Sequence, residues 1–373
     1  MDVWGQFAQV YEQRHQYAEA WKARTGHQVL GYLCTYVPEE IIHAAGLLPV
    51  RVLGSHEPED ITGSHIFNMF CPYCRDCLAQ GLQGRYHYLS GMVHGYACVQ
   101  IRQTYDSWTR HVPTPFSYFL YVPDHLESPS ALAHVTREMG RFKAALEAWL
   151  GKPISSRALK QSIQVYNENR RLLQEIYERR KANPPPLSGA EAKDMVLACM
   201  LMDKEEHSQL LRQALKALDG RRGPQGIRLL LIGSENDDPG IVRLIESLGG
   251  VVVTDDDCIG TRHFWGEVPS LKDPLAALAR RYIEKPLCPV KDYEARRRLP
   301  YVLGLAQDYH VQGAIFLKAK FCDPHEYDWP ATKALLESHH IPCLALEYDT
   351  LNPTGVLRTR IEAFLEMLQV EVV

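Results

Sequence analysis

Ten cysteines stand out in this 373-residue chain. Three are crowded into Cys71-Pro-Tyr-Cys74-Arg-Asp-Cys77, with the two-residue spacings found in iron–sulfur and zinc sites, at an expected strand-to-helix boundary. Three more fall at the carboxyl ends of expected strands. Cys98 follows the apolar run Gly91 to Ala97, Cys258 follows Val251 to Val253 and three aspartates, and Cys322 follows Ala314 to Leu317 and Lys320-Phe321. Open parallel sheets hold ligands at such strand ends. Two geometries suit the Cys71 group. A local knot would use all three of its cysteines with a remote Cys-Pro such as Cys288, whereas a site shared between distant segments would take one here and the rest from strand ends. Spacing does not choose between them. Zinc ribbons usually pair two CxxC segments, and only one region here qualifies, which lowers the zinc reading.

The remaining thiols read more blandly, because free cysteine is often a small buried hydrophobe. Cys199, on a helix with Val196 and Met200, and Cys343, in an apolar strand, are expected to pack in the core. Cys288 is expected to be structural and Cys34 is left open. The N-terminus lacks the basic-then-apolar layout of a signal peptide, so a cytoplasmic compartment is expected, where thiols stay reduced. No apolar run approaches the roughly 20 residues needed to span a bilayer. With 41 Lys plus Arg against 45 Asp plus Glu, the net charge of −4 offers no basic footprint for nucleic acid or an anionic membrane.

These residues need a scaffold. Residues 2 to 24 carry Trp4, Phe7, Val10, Tyr11, Tyr17 and Trp21 at helical spacing, which predicts an amphipathic N-terminal helix. From residue 28 to 127 short apolar runs alternate with helical patterns, giving a first α/β lobe. Residues 128 to 225 read as a helical connector, with one long helix ending at Leu150 and then two helices joined by a stiff turn at Asn183-Pro-Pro-Pro186. A second α/β lobe follows from 226 to 373. The expected fold class is α/β, two doubly wound parallel-sheet lobes with a helical N-terminus and connector, and the cleft between lobes is the expected site. The loop Gly233-Ser-Glu-Asn-Asp-Asp-Pro-Gly240 lacks the GxGxxG spacing and its carboxylates repel phosphate, so ATP is not expected there. Asp255, Asp256 and Asp257 are expected to cap a helix or face solvent.

Four segments together resemble the 2-hydroxyacyl-CoA dehydratase and benzoyl-CoA reductase superfamily: Gly31 to Pro49, Phe67 to Leu78, Cys98 with Arg102 and Tyr105-Asp-Ser-Trp108, and Lys320 to Tyr327. The order is the family's own, and the similarity covers nearly the whole chain. Gly233 to Asp238 and Asp256 to Trp265 are most similar to the smaller cluster-bearing subunit type of ATP-dependent benzoyl-CoA reductases. The resemblance implies a [4Fe-4S] cluster on Cys71, Cys98 and Cys322 with one iron left open, and single-electron reduction of the ring of benzoyl-CoA or a related aroyl-CoA. It implies as partners a second, homologous cluster-bearing subunit and ATP-hydrolysing subunits that activate the electron. A 2-hydroxyacyl-CoA dehydratase subunit working by ketyl-radical elimination, or a non-catalytic electron relay, are the alternatives. Cys74 and Cys258 become neighbours of the cluster. Glu40 and His263 become candidates for proton transfer, against a plain helix-terminal carboxylate and a structural histidine.

Overall fold

The structure is a computed structural model that describes residues 2–56, 61–292, 296–349 and 354–371. Helix α1 (Val3–Glu12) starts at Asp2, whose carboxylate accepts from the Gly5 amide at 2.9 Å, and α2 (Arg14–Thr25) ends at Gly26 in the left-handed region. The single N-terminal helix expected is therefore two. Gln13, at φ −107° and ψ 27°, leaves helical geometry and breaks it.

The first lobe runs β1 (Val29–Leu33), α3 (Glu39–Ala44), β2 (Leu48–Arg51), α4 (Pro72–Leu82), β3 (Leu89–Gly95), α5 (Val99–His111) and β4 (Phe116–Leu120). Four helices follow: α6 (Ala131–Leu150), α7 (Ser156–Arg179), α8 (Gly189–Leu201) and α9 (Lys204–Ala217). The connector thus holds one helix more than expected. Met202 is extended and Asp203 caps α9 by accepting from the Glu205 and Glu206 amides at 3.0 and 3.2 Å, which divides the last helical stretch. The second lobe runs β5 (Ile227–Gly233), α10 (Pro239–Ser247), β6 (Gly250–Asp256), α11 (Thr261–Phe264), α12 (Pro274–Glu284), α13 (Arg298–Asp308), β7 (Gly313–Ala319), α14 (Asp323–Ser338), β8 (Cys343–Tyr348) and α15 (Thr354–Glu371).

Each lobe is one parallel four-stranded sheet, ordered β2-β1-β3-β4 and β6-β5-β7-β8. Parallel strands joined by helices bury both faces, and β1 and β5 are buried at every position. The expected two-lobe α/β class is the observed one. In both sheets the order reverses between the first strand of the lobe and the third, so the chain leaves β1 and β3, and likewise β5 and β7, toward opposite sides and opens a crevice at their carboxyl ends. Helix α8 is buried along nearly its whole length, touches both β2 and β6, and so forms a shared apolar spine under the two lobes. Gly189 begins it because a Cβ there would lie 2.7 Å from the Val252 carbonyl oxygen. Among the described residues no helix is long and apolar enough to cross a membrane.

Candidate functional site

The crevices of the two sheets face each other across a cavity of about 50 Å3 lined by seven cysteines: Cys34, Cys71, Cys74 and Cys98 from the first lobe, Cys258, Cys288 and Cys322 from the second. Topology places them. Cys34 follows β1, Cys98 follows β3, Cys258 follows β6 and Cys322 follows β7, while Cys71 enters from the long passage after β2. Cys71, Cys98 and Cys322 share one local design. Each is the residue immediately before a helix, at the start of α4, α5 and α14. In each case the backbone N–H three residues on, at Cys74, Ile101 and His325, favours the thiolate, as the positive end of a helix does. Pro72 at the first position of α4 and Pro324 at the second of α14 fit there because those amides lack intrahelical partners.

The backbone around the cavity is held tightly. Cys34 has φ 74° and Phe321 φ 63°, left-handed values that cost a residue with a side chain on the order of 1–3 kcal/mol. Gly95 fits because a Cβ there would lie 2.8 Å from the Tyr36 carbonyl carbon. The two lobes are clamped beside the cavity by Arg51, at the end of β2, whose guanidinium lies 2.5 Å from Glu235, after β5. The Gly54 amide donates to Asp237 at 2.8 Å, and His56 lies 3.5 Å from the same carboxylate. The acidic loop that sequence excluded as a phosphate cradle is thus an interlobe clasp. Burial works against charge on the lining thiols. The hydrogen bond with Cys74 and then desolvation push Cys71 up, and desolvation, with Cys71 opposite, pushes Cys98 and Cys322 up. Cys288 moves the other way, because Cys258 hydrogen-bonds its sulfur and Arg262 faces it.

Thiolates here need positive partners, and the surroundings supply them. The charge of Arg51 favours the Cys34 thiolate, and that of Arg262 favours the thiolates of Cys258 and Cys288. Nη1 of Arg51, Nη1 of Arg262 and Nε2 of His325 are buried with no hydrogen-bond partner among the described residues, and His325 lines the cavity itself. Buried donors without acceptors are costly, so the two guanidiniums behind the thiols fit a negatively charged sulfur-rich group. Among the described residues no three His, Cys, Asp or Glu side chains converge closely enough for one metal ion. A single zinc would hold its sulfurs about 2.3 Å away. A cluster gives each thiolate its own iron, which suits a wider ring.

Glu40 and His263 do not line this cavity. Glu40 is fully buried, pairs with Arg170 and accepts from the Tyr282 hydroxyl at 3.0 Å. Burial opposes its charge, but Arg170 and Arg281 outweigh burial and hold the carboxyl below its usual range. His263 lies 3.4 Å from Glu39 and 3.9 Å from the Cys199 sulfur, and burial and then Lys204 keep its imidazole neutral. Both sit in buried polar surroundings. Of the three aspartates, Asp255 caps α11 by accepting from the Thr261 amide at 2.7 Å, while Asp256 pairs with Arg298 at 2.7 Å and Asp257 with Lys193 at 3.0 Å. All three are buried, so none faces solvent.

Sequence reasoning missed Cys34 and Cys288 as lining residues. Both carried a usable signal. Cys34 ends a strand as Cys98 does, and Cys288-Pro289 repeats the Cys71-Pro72 pattern of a cysteine before a helical turn. Gln100 carried none, yet it touches two of the cysteine segments: Oε1 accepts from the Cys71 amide at 2.5 Å and Nε2 donates to the Phe321 carbonyl.

Residues 34–368 match the family described as 2-hydroxyglutaryl-CoA dehydratase, D-component, and the chain belongs to that family. It is 28% identical over 340 residues to one of the subunits of benzoyl-CoA reductase of Thauera aromatica, covering 89% of this chain and 88% of that one. It is 25% identical over 366 residues to the (R)-phenyllactyl-CoA dehydratase beta subunit of Clostridium sporogenes, covering 97% of each. It is also 24% identical over 352 residues to the beta subunit of (R)-2-hydroxyglutaryl-CoA dehydratase of Acidaminococcus fermentans, covering 92% and 93%. All three are subunits of enzymes named for coenzyme A thioesters.

Proposed function

We propose that this chain is the iron–sulfur subunit of a reductase that adds single electrons to the ring of benzoyl-CoA or a related aroyl-CoA. The observation that carries the reading is the meeting of Cys71, Cys98 and Cys322, three helix-start cysteines from separate segments, in one buried cavity at the switch points of both sheets. These three thiolates hold a [4Fe-4S] cluster. When bound, such a cluster supplies one-electron transfer at a low potential set by burial and by hydrogen bonds to its sulfurs.

The chain's own residues do the rest. The helix starts favour the thiolates, Arg51 and Arg262 offset negative charge, and the burial of Cys71, Cys74 and Cys322 keeps water away. Exposed apolar side chains flank all three cysteines: Phe67 at 74%, Met69 at 66%, Val99 at 52% and Tyr327 at 72% exposure. Apolar surface around a buried redox site suits a partner, here the homologous cluster-bearing subunit, with the ATP-hydrolysing subunits delivering electrons. The test is anaerobic purification followed by incubation with reductant, ATP, the activating subunits and either benzoyl-CoA or a 2-hydroxyacyl-CoA. A cyclic diene thioester is the expected product. Dehydration of the hydroxyacyl thioester would favour the dehydratase reading, to which the length and coverage of the phenyllactyl-CoA dehydratase match also lend weight, and no product from either would leave a relay.

A further inference from the structure

A second cavity, of about 400 Å3, opens beside α12. It is lined by Arg281, in the last turn of that helix, and by Lys285 just after it, with Trp265, Pro286, Leu287 and Tyr301 as apolar and aromatic walls. Both cations are only 3% exposed. Uncharged oxygens hold them in place. Arg281 donates to the carbonyls of His263 at 2.7 Å and Gly266 at 3.1 Å, and Lys285 donates to the Thr35 carbonyl at 2.8 Å and hydroxyl at 3.0 Å. The carboxylates nearby are already engaged. Glu40 pairs with Arg170, and Glu39 lies 3.6 Å from Lys204. Glu267 and Glu284, which also line the cavity, have partners in Arg171 at 3.4 Å and Arg280 at 2.9 Å. Among the described residues neither Arg281 nor Lys285 has a carboxylate partner. Burial and then Arg281 pull Lys285 down to about 7, and burial and then Arg170 pull Arg281 down to about 10. Buried charges are costly until something pairs them.

We infer that this cavity binds a phosphate ester of a nucleoside, with the phosphate on Arg281 and Lys285 and the base against the Trp265 ring. Two buried positive charges match one phosphate dianion, and charge-assisted hydrogen bonds to phosphate are the strong ones. The volume lies within the roughly 300–1,000 Å3 of small-molecule sites, and aromatic and proline walls suit a planar body. Two sources carry this chemistry: the phosphoadenosine end of coenzyme A and a free adenine nucleotide. The first rests on the aroyl-CoA reading above, and the pocket itself does not.

The test is isothermal titration calorimetry of the intact chain with adenosine 3′,5′-bisphosphate, ADP, adenosine and inorganic phosphate. Saturable binding of at least one of the two nucleotides is expected, at least about tenfold tighter than adenosine or inorganic phosphate. Preference for the bisphosphate assigns the coenzyme A source, preference for ADP assigns a free nucleotide, and equal binding supports the shared group. Lys285→Met removes a buried unpaired charge, so it is expected to keep or raise Tm while weakening nucleotide binding at least about tenfold. Arg212→Gln, on the exposed side of α9, is expected to leave binding unchanged. The inference is overturned by no saturable nucleotide binding in wild type, by inorganic phosphate binding as tightly as the nucleotides, or by unchanged binding in folded Lys285→Met. If Lys285→Met does not fold, Trp265→Ala at the half-buried wall takes its place, and unchanged nucleotide binding there overturns the inference equally. None of these readouts depends on iron or on turnover, so the outcome is separate from that of the proposed reductase activity.

Discussion

The side chain of Gln100 accepts a hydrogen bond from the Cys71 amide at 2.5 Å and donates to the carbonyl of Phe321, the residue before Cys322. Gln100 itself lies two residues after Cys98, so one primary amide fixes the backbone of all three cysteine segments. Gln100→Ala is expected to leave the buried Cys71 N–H unpaired, which costs about 1–3 kcal/mol. The variant should fold with a lowered Tm and release iron to a chelator faster than wild type. Unchanged release kinetics would reduce Gln100 to a packing residue.

Glu40 anchors Arg170 and Tyr282 in a fully buried setting. Removing one partner of a buried ion pair costs about 3–5 kcal/mol, because the other charge stays uncompensated. Glu40→Ala should therefore lower stability by that order in denaturant unfolding while iron per folded chain stays unchanged. Since the carboxyl is held below its ordinary range, its contribution is present above the unfolded carboxylate value and fades as pH falls through the lower folded one.

His56 tests the interlobe clasp by pH. Burial disfavours its charge, but Asp237, Asp238 and Asp76 outweigh burial and raise it above its ordinary value. A raised histidine stabilises the fold fully below its unfolded value of about 6.5 and loses that contribution as pH climbs through the folded one. The Tm difference between wild type and His56→Gln should be largest near pH 5 and narrow toward about pH 8. A difference that is flat across that range would mean the imidazole stays neutral.

The exposed side chains of Phe67, Met69, Val99 and Tyr327 are expected to sit against the partner subunit. Phe67→Asp/Tyr327→Asp should weaken association with the co-expressed homologous subunit at least tenfold, about 1.4 kcal/mol, in sedimentation, with iron content intact. Association at wild-type strength would move the interface elsewhere.

The strands that carry the site are readable because β1, β5 and β7 are short apolar runs with turn residues behind them, and parallel strands buried on both faces must look that way. β4 is hidden for the opposite reason. It is an edge strand, with Phe116, Tyr118 and Phe119 half-buried and prolines at 113 and 115 that read as a loop. The strand-end rule points to Cys98, Cys258 and Cys322. Cys34 obeys the same rule and Cys288 reads as structural, yet both line the cavity, since whether a thiol packs or lines a cavity depends on which segments meet it in space. The surroundings of Glu40 and His263 are illegible for the same cause: Arg170, Tyr282, Glu39 and Cys199 come from up to 242 positions away in the chain. Local sequence carries helix starts and strand ends, and it does not carry the charges that distant helices bring against them.

The spread of the cavity along the chain has a consequence for how the protein is made. Cys71 and Cys322 are separated by about 250 residues, roughly 12–50 s of ribosomal synthesis at about 5–20 residues/s. During that interval the first-lobe thiols emerge without the guanidinium of Arg262 or the wall formed by the second sheet. They are open to oxygen and to stray metal until β7 pairs with β5 and brings Cys322 into place. Under the proposed cluster assignment, iron loading is a late event in the life of the molecule, and oxygen-exposed expression is expected to harm the unfinished chain before the finished one.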